Sequence, residues 1–129
     1  MELQDIFGEV IYGYSREEAI KDGVLIDVST MAKEAGIKYP VALTDTVYNQ
    51  YVKVPSGLEG EGQSVEGRLW DILTMFVYAA KNHKDGTEML YKLGVRNKPG
   101  RTATITLRAV IGPGDTPKPV ITIMLPGED

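Results

Sequence analysis

Cysteine is absent from the 129 residues and histidine occurs once. The first absence removes disulfides, thiolate metal sites and thiol nucleophiles together. With His83 alone, no histidine-based metal site forms within one chain. Its place at an expected helix end suits a dipole-stabilised surface residue better than a catalytic base. Long apolar runs are missing too: none approaches the roughly 18 residues of a membrane span, so no membrane association is expected. The opening Met1-Glu2-Leu3-Gln4-Asp5 has no basic region followed by an apolar stretch, which argues against a signal peptide and for a cytoplasmic location. An excess of positive charge is also lacking. With 14 basic and 18 acidic residues the net charge is −4, so counterion release gives no drive toward nucleic acid, and none is expected as a partner.

What is present suits a folded protein: 43% hydrophobic and 25% charged residues, in a length that fits one domain, 1–129. A chain of this size buries roughly two-thirds of the surface its unfolded form exposes. Ser15-Arg16-Glu17-Glu18 matches a capping box and predicts a short helix over 16–22, stopped by Gly23. Val24-Leu25-Ile26-Asp27-Val28 reads as a short strand. Ser29 is a second N-cap candidate, for a helix over 30–35 closed by Gly36. Residues 37–43 are expected to be extended around Pro40, and Thr44 or Asp45 to cap a third short helix reaching about Val52. The glycine-rich stretch 54–63 has no periodic pattern and reads as a flexible loop leading to a serine cap, Ser64.

The longest amphipathic segment follows. At 100° per residue, Val65, Leu69, Ile72, Leu73, Phe76, Val77, Ala79 and Ala80 share one arc, with Trp70 at its edge. Lys81, His83 and Lys84 complement the dipole at its end, and Gly86 can terminate it. The last third alternates with period two: Met89, Tyr91, Leu93 and Val95, then Ala103, Ile105, Leu107, Ala109 and Ile111, then Ile121, Ile123 and Leu125. Pro99-Gly100 suits a tight turn between the first two strands, and 112–118 a looser second loop. The expected fold class is α+β: one long amphipathic helix over 64–83, packed on a C-terminal three-stranded antiparallel meander, with short N-terminal helices and room for one extra strand.

Candidate sites come from what this core leaves over. Arg68, Asp71, Met75, Tyr78 and Asn82 recur at three- and four-residue spacing on the opposite side of the helix. Methionine and tyrosine beside arginine is a composition that interface centres favour; the bland reading is a solvated face with an Arg68–Asp71 pair. Gln63 and Ser64 end a glycine loop at a helix start, where phosphates often bind. No lysine follows, however, and Glu59, Glu61 and Glu66 would repel an anion. Asp115 in the 112–118 loop could meet Glu128 and Asp129, although solvated loop carboxylates explain the same residues, so no metal ion is assigned. Residues 31–39 resemble the first helix and turn of helix-turn-helix repressors, but the segment after Pro40 has no arginine or lysine to read bases. Pro119 and Pro126 bracket a last strand that could pair with a partner strand if it lay at the sheet edge.

Three stretches resemble a family of small bacterial and phage proteins classed only as a domain of unknown function. They are Asp22-Gly23-Val24-Leu25-Ile26-Asp27-Val28, the segment from Gly62 through Arg68-Leu69-Trp70-Asp71 to Leu73, and Gly112-Pro113-Gly114-Asp115 with the strand from Pro119 to Pro126. The resemblance implies an origin in a phage, plasmid or genomic island, and brings no activity, cofactor or catalytic residue. With no catalytic constellation grouped in the sequence, the expected function is a non-enzymatic, protein-binding accessory factor acting through the helix stripe. A homodimer on that stripe is a further option. The alternative is a small-ligand or nucleotide-binding protein with a pocket between the 54–63 and 112–118 loops and contacts from Gln63, Ser64 and Asp115. No cofactor is assigned.

Overall fold

A computed structural model describes residues 14–83 and 86–128. The expected contributions of Lys84 and Asp129, and the reading of the first five residues, lie outside them. Helix α1 (Arg16–Lys21) starts as its capping box demands, with Ser15 Oγ accepting from Glu18 N and Glu18 Oε1 accepting from Ser15 N. Gly23, at φ +79°, turns the chain into β1 (Leu25–Asp27). Helix α2 (Ser29–Glu34) has no side-chain cap, and Ser29 is its first residue rather than the residue before it. Ser29 Oγ instead donates to Asp27 Oδ1 and accepts from Val41 N, tying α2 to β2 (Val41–Thr44). Thr44 caps α3 (Asp45–Val47), its hydroxyl accepting from Val47 N, and the chain continues as a π-helical turn, Tyr48–Val52. Ser64 caps α4 (Val65–Lys81), which leads into β3 (Glu88–Lys98), β4 (Arg101–Pro113) and β5 (Pro119–Met124).

The sheet corrects the expected meander. Among the described residues it has five strands in the order β1-β2-β5-β4-β3 and is mixed: β5 runs antiparallel to β4 but parallel to β2, which runs antiparallel to β1. The strand missed in sequence is β2. All of Val41, Ala42 and Leu43 are buried, so the segment shows no alternation to mark it, as expected for a strand covered on both faces. Its presence also counts against the helix-turn-helix reading, because a sheet strand separates α2 from the short helical segment that follows at 45–52.

One face of the sheet carries the main core. Val41 and Leu43, Ile121 and Ile123, Leu107 and Ala109, and Met89, Tyr91, Leu93 and Val95 join Leu69, Ile72 and Leu73 of α4 and Ala32, Val47 and Val52 of the shorter segments in one apolar cluster. The opposite face holds Ala42, Thr122 and Met124 by register, and α1 sits there. Arg16 Nη1 donates to Thr122 Oγ1 (2.7 Å) and Nη2 to Ile121 O (2.8 Å). Within the core, Tyr91 Oη donates to Ile72 O at 3.0 Å, which fixes the middle of α4 over the middle of β3. Burial pushes this hydroxyl well above the ordinary tyrosine range, so it stays protonated and keeps the proton it donates. Phe76 meets the Tyr91 ring edge-on, with centroids 6.0 Å apart.

Replacing Tyr91 by Phe removes that donor and leaves the ring in place. The expected cost is about 1 kcal/mol in urea unfolding with an unchanged m-value. No measurable loss would show that the bond does not position α4.

Candidate functional site

Arg68 is the residue whose position departs most from its sequence reading. It lies on the flank of α4 rather than at the middle of the outer face, and is only 6% exposed. Four neutral acceptors surround its guanidinium. Nε donates to Tyr51 O (3.0 Å), Nη1 to Gln63 Oε1 (3.0 Å) and Arg96 O (2.6 Å), and Nη2 to Asn97 Oδ1 (2.5 Å). Among the described residues no carboxylate comes within ion-pair distance, so the expected Arg68–Asp71 pair is not formed. Desolvation accordingly lowers the Arg68 pKa. A buried cation without a counter-charge is costly, and here the fork of N–H groups offsets that cost by satisfying backbone carbonyls that would otherwise be unpaired. Arg68 therefore joins α4, the π-helical turn and the end of β3, and is not available as a contact residue.

The rest of the stripe is at the surface. Asp71 and Asn82 are exposed, Met75 is 36% exposed and Tyr78 65%. Trp70, at the border of the apolar arc, is 40% exposed. Asn82 Nδ2 donates to Tyr78 O (3.2 Å), closing the last turn of the helix. This face carries an aromatic, a thioether and a phenol within about two turns, with Thr74 between them.

The loop residues proposed as ligand contacts are used internally. Gln63 holds Arg68, and Ser64 Oγ accepts from Gly67 N at 3.0 Å. The 54–63 loop is anchored rather than free: Leu58 is fully buried, and Glu61 Oε1 lies 3.3 Å from Arg96 Nη1 and accepts from Gly100 N (3.2 Å). Asp115 accepts from the first two amides of α1, Arg16 N at 2.7 Å and Glu17 N at 3.0 Å. The two loops thus sit at opposite ends of β4, whose 13 residues span about 40 Å at strand rise. Among the described residues the strand holds the two loops apart. Glu128 is likewise occupied, by Thr44 Oγ1 and Leu125 N (both 2.8 Å). No group of three metal-ligating side chains forms among the described residues.

A separate cleft of about 570 Å³ opens between α1, residues 38–40 and the β4–β5 loop. Asp27, Lys38, Tyr39, Asp115 and Lys118 line it, so both signs of charge are present. Its one hydroxyl–carboxylate pair, Ser29–Asp27 (2.6 Å), is also the acceptor for Val41 N, which makes it a structural junction rather than an activated nucleophile.

The chain matches the "Family of unknown function (DUF6573)" over residues 4–129. It belongs to the DUF6573 family. No curated protein and no solved structure matches the chain. Among the described residues of this DUF6573 chain, no helix is long and apolar enough to cross a membrane. Besides the outer face of α4, its exposed large hydrophobics include Leu90, a residue absent from the sequence expectations. It is 60% exposed and interrupts the otherwise polar outward set of β3; that interruption is the signal that could have found it.

Arg68→Met is expected to lower unfolding free energy by about 3 kcal/mol, because buried carbonyls lose their donors, and Arg68→Lys to recover little of it. Denaturant titration of both variants checks this; a loss near zero in either would contradict the junction role. Asp115→Ala is expected to cost about 1 kcal/mol, as for loss of a helix cap, and to raise amide exchange at Arg16 and Glu17. Unchanged exchange there would show that the loop does not hold α1.

Proposed function

We propose that the chain is a non-enzymatic, protein-binding accessory factor of a phage, plasmid or genomic island, acting through the outer face of α4. The observation that carries this reading is the exposure of Trp70, Met75 and Tyr78 on one helix face, flanked by Asp71 and Asn82. Aromatic and methionine side chains with a polar rim are the composition of interface centres. Arg68 leaves the proposed contact set because it is consumed inside the fold. The mobile-element setting is supported by the sequence resemblance alone. Cytoplasmic residence belongs to the same proposal.

A small-ligand role is the second reading, relocated to the 570 Å³ cleft beside the β4–β5 loop. Its support is the concave shape and the mixed charge of the lining.

Affinity capture from the source-cell lysate, comparing wild type with a folded Trp70→Ala/Tyr78→Ala variant, separates the readings. The α4 proposal expects a protein retained by wild type and lost, by ten-fold or more, with the variant. Equal retention would remove α4 as the working surface. A thermal-shift panel of small anions, nucleotides and amino acids addresses the cleft, where a ligand at 100 times its dissociation constant adds about 2.7 kcal/mol.

A further inference from the structure

The last strand does not lie at an edge, as pairing with a partner strand would require. β5 is internal, and the long free edge belongs to β3. Thr87 O accepts from Ile111 N at 2.8 Å, so Thr87 is a hydrogen-bonded position of the ladder with β4. Alternation then commits Met89, Tyr91, Leu93 and Val95 to β4 and turns the N–H and C=O groups of Glu88, Leu90, Lys92 and Gly94 outward. All four residues are exposed, and their backbone groups bond to no described residue. Further along, the edge is closed. Arg68 Nη1 donates to Arg96 O, the Asn97 side chain donates to Gln50 O, and the strand is bulged between Arg96 and Lys98. The first half of the strand has none of these devices, and no proline.

We propose that this edge pairs with the same edge of a second copy of the chain, antiparallel, about a two-fold axis through Leu90. That axis sets Leu90 against Leu90 and Glu88 against Lys92 on both sides of it, with about six N–H···O bonds between the chains. The pattern is self-complementary in charge and centres on the exposed leucine. The neighbouring register, with its axis at Tyr91, sets Lys92 against Leu90 and Glu88 against Gly94. Parallel pairing sets like charges together. Glu88 is held ready for this role: Arg108 donates to both of its carboxylate oxygens, at 2.8 and 3.2 Å, which leaves lone pairs for a second cation. An axis normal to the sheet also keeps both copies of α4 on one face. The α4 flank with Asp71 looks over this edge, since Asp71 shares a small hollow with Gly94 and Arg96, and Met75 follows one turn on. The copies of α4 would therefore run side by side over the joint.

The absence of native cysteine makes the test direct. Residues facing each other at a hydrogen-bonded antiparallel pair have Cα atoms about 5.5 Å apart, within disulfide range. Wild type should sediment as a dimer. Leu90→Cys, checked for native circular dichroism, should form a covalent dimer under mild oxidation, while Thr104→Cys, on the same face of the inner strand, should stay uncrosslinked. Lys92→Glu opposes like charges at two positions and should weaken the dimer on the order of ten-fold. A wild type that is monomeric at every accessible concentration overturns the proposal. So does a dimer that crosslinks at Thr104→Cys as readily as at Leu90→Cys, or one indifferent to Lys92→Glu.

Discussion

The last strand of the chain occupies the centre of the sheet, and the rest of the architecture depends on that placement. Among the described residues β5 is the only strand that touches both β2 and β4, so there the β1–β2 pair joins the β3–β4 hairpin within the sheet through it alone. Its buried side chains, Ile121 and Ile123, sit beneath the helices, while Thr122 and the carbonyl of Ile121 receive Arg16 from the other side. The loop leading into it carries Asp115, which caps α1. Val41 and Ile121 are partners far apart in sequence, so this pairing closes a long loop and its entropy must be offset by the core it completes.

How far the fold was legible depended on how local each signal was. The capping box at Ser15 and the caps at Thr44 and Ser64 involve residues three apart, and the chain forms them as read. The alternation in β3 survives because one face is covered and the other is wet, while in β4 it holds only around Leu107 and Ala109, and Ala103 is exposed. β2 lost its alternation to burial on both sides, and its parallel partner is decided by a segment the local pattern cannot reach. The separation of the two loops was out of reach for a related reason: 13 extended residues hold them apart by about 40 Å.

The same distinction separates the site residues. A helical wheel places Arg68 away from the apolar arc, yet the groups that bury it come from Tyr51, Arg96 and Asn97, none of them on the helix. Gln63, Ser64 and Asp115 carried polar chemistry that the fold consumes in its own caps and junctions. Among the side chains left exposed are Trp70, Met75 and Tyr78 on the outer face of α4 and Leu90 in the first half of the β3 edge. Both regions are surfaces rather than pockets, whereas the 570 Å³ cleft beside the β4–β5 loop is concave and lined by both signs of charge.

Native-state hydrogen exchange of wild type and Ile123→Val tests most directly whether β5 binds the two halves into one cooperative unit. The substitution deletes one buried methylene and should cost about 1 kcal/mol. If β5 couples the halves, the slowest amides of β2 and of β4 open with the same free energy in wild type, and both fall by that amount in the variant. If the β1–β2 amides exchange through a lower-energy opening while those of β3–β4 stay protected, the halves are independent and the central role of β5 is wrong.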